Sequence, residues 1–250
     1  FDFIVKPWNN EKLIETLLNA MEKVKGSRKK SPAQPVRKEV PMFWGASAEM
    51  ENIRMVVERV AVTDANVLIT GENGTGKELL AREIHRLSSR KGNEMVSLDM
   101  GAIPDSLFES EFFDHKKGAF TDAHADRVGK MVAANGSTLF MDEIGNLPLH
   151  LQAKMLVALQ NRMVTPLGGN APQPIDIRLI TATNRDLMAM ADKGEFRQDL
   201  LYRINTIHIN LPPLRRRAVD IVPLAGIFLK HYCEKYLKEE MCIIYSLKII

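Results

Sequence analysis

The segment Gly71-Glu72-Asn73-Gly74-Thr75-Gly76-Lys77-Glu78 has the clearest chemical capacity in the chain. Glycines at this spacing let a backbone turn its N–H groups inward around phosphate oxygens, and a lysine at the end can reach the terminal phosphates. A hydroxyl usually follows that lysine to hold magnesium, and here Glu78 stands in its place. A phosphate site also needs a carboxylate for the metal, and Leu139-Phe140-Met141-Asp142-Glu143 offers two at the end of an apolar run. Asp142 can hold Mg²⁺ directly or through water, and Glu143 can orient an attacking water. Alone, such a pair is common and reads as a solvated strand end; behind a phosphate loop it becomes a strong signal. Asn184, closing Arg178–Asn184, can hold the water or sense the terminal phosphate, although Thr-Asn at a strand end more often starts a turn. Arg197 and Arg203 can stabilise charge on a transferring phosphoryl group, including from a neighbouring subunit. Spacing alone does not separate that role from a surface helix with an ordinary Asp–Arg pair. Arg215-Arg216-Arg217 reads by itself as a charge run on a solvated face.

These residues need a scaffold that delivers them to one place. Short apolar runs at Asn66–Thr70, Met95–Leu98, Thr138–Met141, Ile177–Thr181 and Thr206–Asn210 read as strands. Helical spacing fits Glu78–Ser88, with Leu80, Ile84 and Leu87 on one side, and His150–Gln160. Alternation of this kind predicts an α/β fold with a mainly parallel sheet flanked by helices. The phosphate loop then joins a strand to a helix whose N-terminus adds positive potential.

The chain has 250 residues, 45% hydrophobic and 26% charged, with a formal charge of +3. That length supports one large domain or one domain plus fragments. The longest apolar stretches are too short to span a bilayer, and Cys233 and Cys242 form no metal or disulfide framework. No membrane association and a cytoplasmic location are the expectation. Seven basic residues and no acidic one lie between Lys23 and Lys38, so the rest of the chain is acidic by four charges. The positive balance marks a short joint and is not a nucleic-acid-binding face.

The chain divides into three parts. Residues 1–25 read as a strand ending in Lys6-Pro7 and an amphipathic helix carrying Leu13, Leu17, Met21 and Val24. Residues 26–41 read as a basic Pro/Ser linker, and residues 42–250 as the main domain.

On Gly71–Glu78, Glu109–Ala123, Gly136–Leu147, Ala182–Leu187, Phe196–Arg203 and Leu211–Arg217, the chain resembles the AAA+ domain of sigma-54-dependent transcriptional activators, the NtrC-type bacterial enhancer-binding proteins. Glu after the loop lysine is usual there. The most diagnostic stretch is Gly118-Ala119-Phe120-Thr121-Asp122-Ala123, similar to the family's GAFTGA loop, which contacts sigma-54 in its RNA polymerase holoenzyme. The resemblance implies ATP and Mg²⁺ as ligands. Gly71, Glu72, Asn73, Gly74, Thr75, Gly76, Lys77 and Glu78 would form the P-loop. Asp142 and Glu143 would be the Walker B acids, Thr183 and Asn184 sensor I, and Arg197 and Arg203 would be offered in trans. That last role implies a ring, typically a hexamer.

Residues 1–25 then resemble the tail of a response-regulator receiver domain. A sensor kinase would act through the absent part of that domain, and DNA would be bound by an absent C-terminal domain. The resemblance also implies a helical lid that is incomplete at the C-terminus, where Met241–Ile250 leaves the family pattern. Asp99, Asp114, Asp122 and Arg216 depart from it as well. Asp99 stands where an Asn often pairs with the Walker B Glu, and Asp114 where the pattern has Gly. The competing readings are a generic AAA+ remodeller and a nucleotide-gated scaffold without turnover.

Overall fold

The structure is a computed structural model that describes residues 42–104, 107–114 and 128–236. All of these belong to one unit, Pro41–Ile250. The expected receiver tail, the linker, the Gly118–Ala123 loop and the Met241–Ile250 tail lie outside the described residues.

Five strands, β1 (Val67–Thr70), β2 (Val96–Asp99), β3 (Thr138–Asp142), β6 (Arg178–Thr183) and β7 (Ile207–Asn210), form one sheet in the order β2-β3-β6-β1-β7. Every neighbouring pair is parallel. A two-stranded antiparallel ribbon, β4 (Met163–Val164) with β5 (Gln173–Pro174), stands apart. All five sheet strands fall within two residues of their sequence expectations. The central strands β3 and β6 are buried along almost their whole length, whereas the edge strands β2 and β7 each bury one residue deeply. A strand covered on both faces needs a continuous apolar run, which Leu139-Phe140-Met141 and Leu179-Ile180 supply.

Alternation along the strands sorts the core into two layers. Val67, Ile69, Phe140, Ile180 and Ala182 point to one face and pack on α1 (Ala48–Ala61) and α2 (Lys77–Arg86). Leu68, Leu139, Met141 and Leu179 point to the other. There they meet α3 (Phe108–Phe112), α4 (Lys130–Ala133), α5 (Leu149–Asn161), α6 (Leu187–Asp192) and α7 (Gln198–Ile204). Leu80 and Ile84 are fully buried on α2, each contributing about 1.5–3 kcal/mol of transfer free energy. After β7 the chain makes two short 3₁₀ turns, Leu214–Arg216 and Ala218–Asp220, and enters α8 (Ile221–Tyr236).

Helix α1 has no counterpart in the sequence expectations, although Met50, Ile53, Val57 and Val60 repeat at helical spacing. Its C-terminus is closed from far away. The fully buried Arg178, at the start of β6, donates to Ala61 O at 2.6 Å and Val60 O at 2.9 Å. A cation on the last carbonyls satisfies groups that a helix end leaves open.

Candidate functional site: the C-terminal end of the parallel strands

In an open parallel sheet, ligands bind beyond the carboxyl ends of the strands, where loops leave in different directions. Here that end presents Thr70, Asp99, Asp142 and Thr183, with the Gly71–Gly76 loop rising from β1 into α2. Gly74 and Gly76 have φ of +79° and +99°. A Cβ at either would meet nothing, so backbone conformation selects glycine there. Gly71 is selected by space: a Cβ would sit 2.9 Å from Leu211 O just beyond β7.

The loop is tied internally and to its neighbours. Thr75 Oγ1 donates to Glu72 O at 2.8 Å, and Gly71 N donates to Thr183 O at 3.3 Å. Lys77 is buried, and its Nζ donates to Gly71 O at 3.0 Å and Glu72 O at 3.1 Å. The ammonium is thus held over the loop by two carbonyls, with a third donor position left over. Asn184 Nδ2 donates to Asn73 Oδ1 at 2.8 Å, which brings the end of β6 onto the loop.

Asp142 ends β3 half-buried, with Oδ1 accepting from Glu143 N at 2.9 Å. Burial raises its carboxyl above the ordinary range. The Glu143 N–H and the Lys77 charge work against that rise, while Asp99 and Glu78 reinforce it. A second positive charge at this point would relieve the carboxylate, as a bound Mg²⁺ does. Among the described residues no group of three or more His, Cys, Asp and Glu side chains forms a metal cluster. The donor set suits a Mg²⁺ held by one carboxylate, water and phosphate oxygens, the usual arrangement for that ion. Glu143 has φ of +55°, a left-handed conformation that costs a non-glycine residue roughly 1–2 kcal/mol. Gly145 permits the turn beyond it, since a Cβ there would approach Arg185 Cδ at 3.0 Å and Thr183 Oγ1 at 3.3 Å. Asp99 lies beside Asp142 in register, and its Oδ1 accepts from Gly101 N at 2.8 Å.

Lys77, Asp142, Glu143 and Asn184 therefore gather with the Gly71–Glu78 loop at one end of the sheet. The two arginines do not join them within the chain. Arg197 precedes α7 and pairs with Asp199 at 2.7 Å. Arg203 donates to Leu159 O at 2.9 Å, and its own carbonyl accepts from Asn66 Nδ2 at 2.9 Å. Asn66 precedes β1, so Arg203 sits at the opposite end of the sheet from the loop.

The reading of Arg215–Arg217 as a solvated face holds for Arg215 and Arg216, which are exposed, and needs correction for Arg217. Arg215 forks onto the Glu72 carboxylate, at 2.6 Å from Nη1 to Oε2, and this hydrogen-bonded charge holds Glu72 below the usual carboxylate range. Arg217 is buried and donates to Thr75 O at 3.2 Å. Both brace the loop from 143 and 142 residues away. Leu211-Pro212-Pro213-Leu214 leads from β7 into the 3₁₀ turn that carries Arg215 and Arg216. Asp114 also gains a role: its carboxylate accepts from Gly129 N at 2.6 Å and links the residues on either side of 115–127.

The family model of the sigma-54 interaction domain matches residues 43–210. The chain belongs to the sigma-54 interaction domain family. It is 44% identical over 234 residues to the transcriptional regulatory protein ZraR of Klebsiella oxytoca, covering 94% of this chain and 52% of that protein. It is 43% identical over 245 residues to the regulatory protein AtoC of Escherichia coli, covering 93% and 51%. The chain thus spans about half the length of the curated relatives it matches. Among solved structures, NtrX from Brucella abortus in complex with ATP superposes with a TM-score of 0.74 at 32% identity, over 94% of this chain and 50% of that one. The parallel five-stranded sheet flanked by helices is that of a P-loop AAA+ ATPase domain, as the family resemblance implies. No helix among the described residues is long and apolar enough to cross a membrane.

Proposed function

We propose that this chain is the ATP-hydrolysing motor of a sigma-54-dependent transcriptional activator, working within a two-component phosphorelay. The observation that carries the reading is the convergence of Lys77, Asp142, Glu143 and Asn184 on a glycine loop at the C-terminal end of a parallel sheet. ATP is the substrate. The N–H groups of Gly71–Gly76 and the Lys77 ammonium bind its phosphates, the ammonium exchanging two neutral carbonyls for charged oxygens. Asp142 holds Mg²⁺, which when bound neutralises charge developing on the phosphates. Glu143 orients the attacking water and takes its proton, and Asn184 fixes the water against the terminal phosphate.

Arg203, at the far end of its own sheet, serves a neighbour's nucleotide, as does Arg197, and this requires a homo-oligomeric ring, a hexamer by family analogy. The Gly118–Ala123 segment, through Phe120 and Thr121, engages sigma-54 in the polymerase holoenzyme. Residues 1–25 end a receiver domain addressed by a sensor kinase, residues 26–41 link it to the motor, and DNA is bound by a domain C-terminal to these residues. The protein works in the cytoplasm.

Steady-state turnover tests the motor. ATP hydrolysis by the 250-residue chain is expected to rise faster than linearly with protein concentration and to fall at least about 100-fold in Glu143→Gln. Mixing Lys77→Ala with Arg203→Ala subunits should restore part of the activity, since each supplies what the other lacks. No restoration, with both variants still assembling, would remove the trans role. For the loop, Phe120→Ala is expected to lose sigma-54 binding in the presence of a transition-state analogue; retained binding contradicts that contact.

A further inference from the structure

One buried carboxylate takes no part in the chemistry above. Asp220, the last residue before α8, has no exposed surface. Its Oδ1 accepts from Ala46 N at 2.7 Å and Ser47 N at 3.2 Å, and its Oδ2 accepts from Ser47 Oγ at 2.7 Å. Gly45, with φ of +69°, lies so close that a Cβ would sit 2.4 Å from the carboxylate. Ser47 precedes α1 in the position whose hydroxyl ordinarily caps the helix, yet it makes no such cap. A contribution of about 1 kcal/mol to α1 is redirected to Asp220.

The other side of Asp220 leads to the P-loop. Asp220 N donates to Arg217 O at 2.9 Å, and the buried Arg217 guanidinium donates to Thr75 O at 3.2 Å. Among the described residues the Nε of Arg217 has no partner; its Nη2 holds the Thr75 carbonyl, and its charge faces the Asp220 carboxylate. Met42 and Trp44, just before Gly45, pack on the core layer that contains α2. A continuous track of short contacts thus joins the segment that leads into the domain, the turn before α8 and the loop that ends in Lys77.

We propose that Asp220 is a positioning residue for the nucleotide: it clasps Gly45–Ser47 and the Arg217 turn into one body, and that body sets the place of Thr75 and the P-loop. Displacement of Gly45–Ser47 from Asp220 then weakens nucleotide binding, which makes ATP affinity responsive to whatever pulls on the chain before residue 45. The proposal rests on the reading of Gly71–Glu78 as the nucleotide site.

The test titrates the 250-residue chain with ATP, alongside steady-state turnover and amide hydrogen exchange without nucleotide. Asp220→Ala is expected to raise Kd about tenfold or more while kcat at saturation stays within about twofold. Exchange of the amides of residues 72–78 should quicken with β3 and β6 unchanged. Ser47→Ala removes one bond and is expected to raise Kd about threefold. Asp220→Asn should stay within about twofold of wild type, because the Ser47 hydroxyl can reverse and accept from the new amide. Wild-type affinity in Asp220→Ala, a fall in kcat at unchanged Kd, or quickened exchange throughout the sheet would overturn the proposal. Should Asp220→Ala not fold, Ser47→Ala decides it, and wild-type binding there overturns it. Lys77→Ala separates the two readings. If it binds ATP as wild type does, the nucleotide assignment fails, while the exchange pattern still decides whether Asp220 governs the loop.

Discussion

The two ends of the parallel sheet use polar residues in opposite ways. At the N-terminal end the charges are consumed by one another. Arg90 donates to the Asp64 and Asp176 carboxylates, each at 2.9 Å, and to Asp176 O at 3.0 Å. The Arg90 hydrogen bond holds Asp64 below the usual carboxylate range. Arg178 is spent on the end of α1, with burial lowering its affinity for the proton. At the C-terminal end the groups keep capacity in hand. Among the described residues Lys77 donates to two neutral carbonyls, burial raises the Asp142 carboxyl despite the Lys77 charge, and Glu143 occupies a strained backbone region. One end is built to be complete and the other to be completed by a ligand. Substitutions at the first should therefore act on stability, and at the second on binding and turnover.

The largest effect is expected at the ligand end. Glu143→Gln should lower turnover about 10²–10³-fold with nucleotide affinity and melting temperature nearly unchanged, as measured by steady-state hydrolysis and thermal unfolding. The mirror experiment is Arg178→Leu. It leaves two helix-end carbonyls without a donor and should cost about 2–4 kcal/mol of stability by denaturant titration. The folded fraction should still bind ATP normally, and a selective loss of binding would erase the contrast between the two ends.

A pH experiment sharpens the boundary between them. Burial raises the Asp220 carboxyl, but the Ala46 N–H, the Ser47 hydroxyl, the Ser47 N–H and the Arg217 charge outweigh it and hold the group below its ordinary range. Its contribution to stability is complete above about pH 4 and is lost as the pH falls through the folded-state value. Asp220→Asn should flatten that part of the acid-unfolding curve and lower stability in the neutral region, where the wild-type contribution is complete. The smallest effect belongs to Arg215→Ala. Its fork on Glu72 is exposed and screened, so ATP affinity should change by no more than about twofold and less in high salt.

Much of this was legible in the residues. The Gly71–Glu78 loop announces itself because its chemistry is local: glycines, lysine and the following helix all lie between Gly71 and Arg86. The central strands are legible because burial on both faces demands unbroken apolar runs. Arg217 and Asp220 were not, since their meaning arises only when segments 142 and 173 residues apart meet. In sequence, a buried arginine at the end of Arg215-Arg216-Arg217 looks like any solvated charge. Arg178 is hidden for the same reason, because a strand-start arginine gives no sign that a helix ends above it. The short ribbon of β4 and β5 has two residues a strand, too few to display a period.

The central claim is that the C-terminal end of the sheet is a nucleotide site whose working cation is Lys77. Calorimetric titration of the 250-residue chain with ATP and Mg²⁺ tests it most directly. Saturable one-to-one binding by the wild type, weakened at least about 100-fold in a Lys77→Ala variant that melts within a few degrees of it, is the predicted result. Equal binding by the two proteins would contradict it.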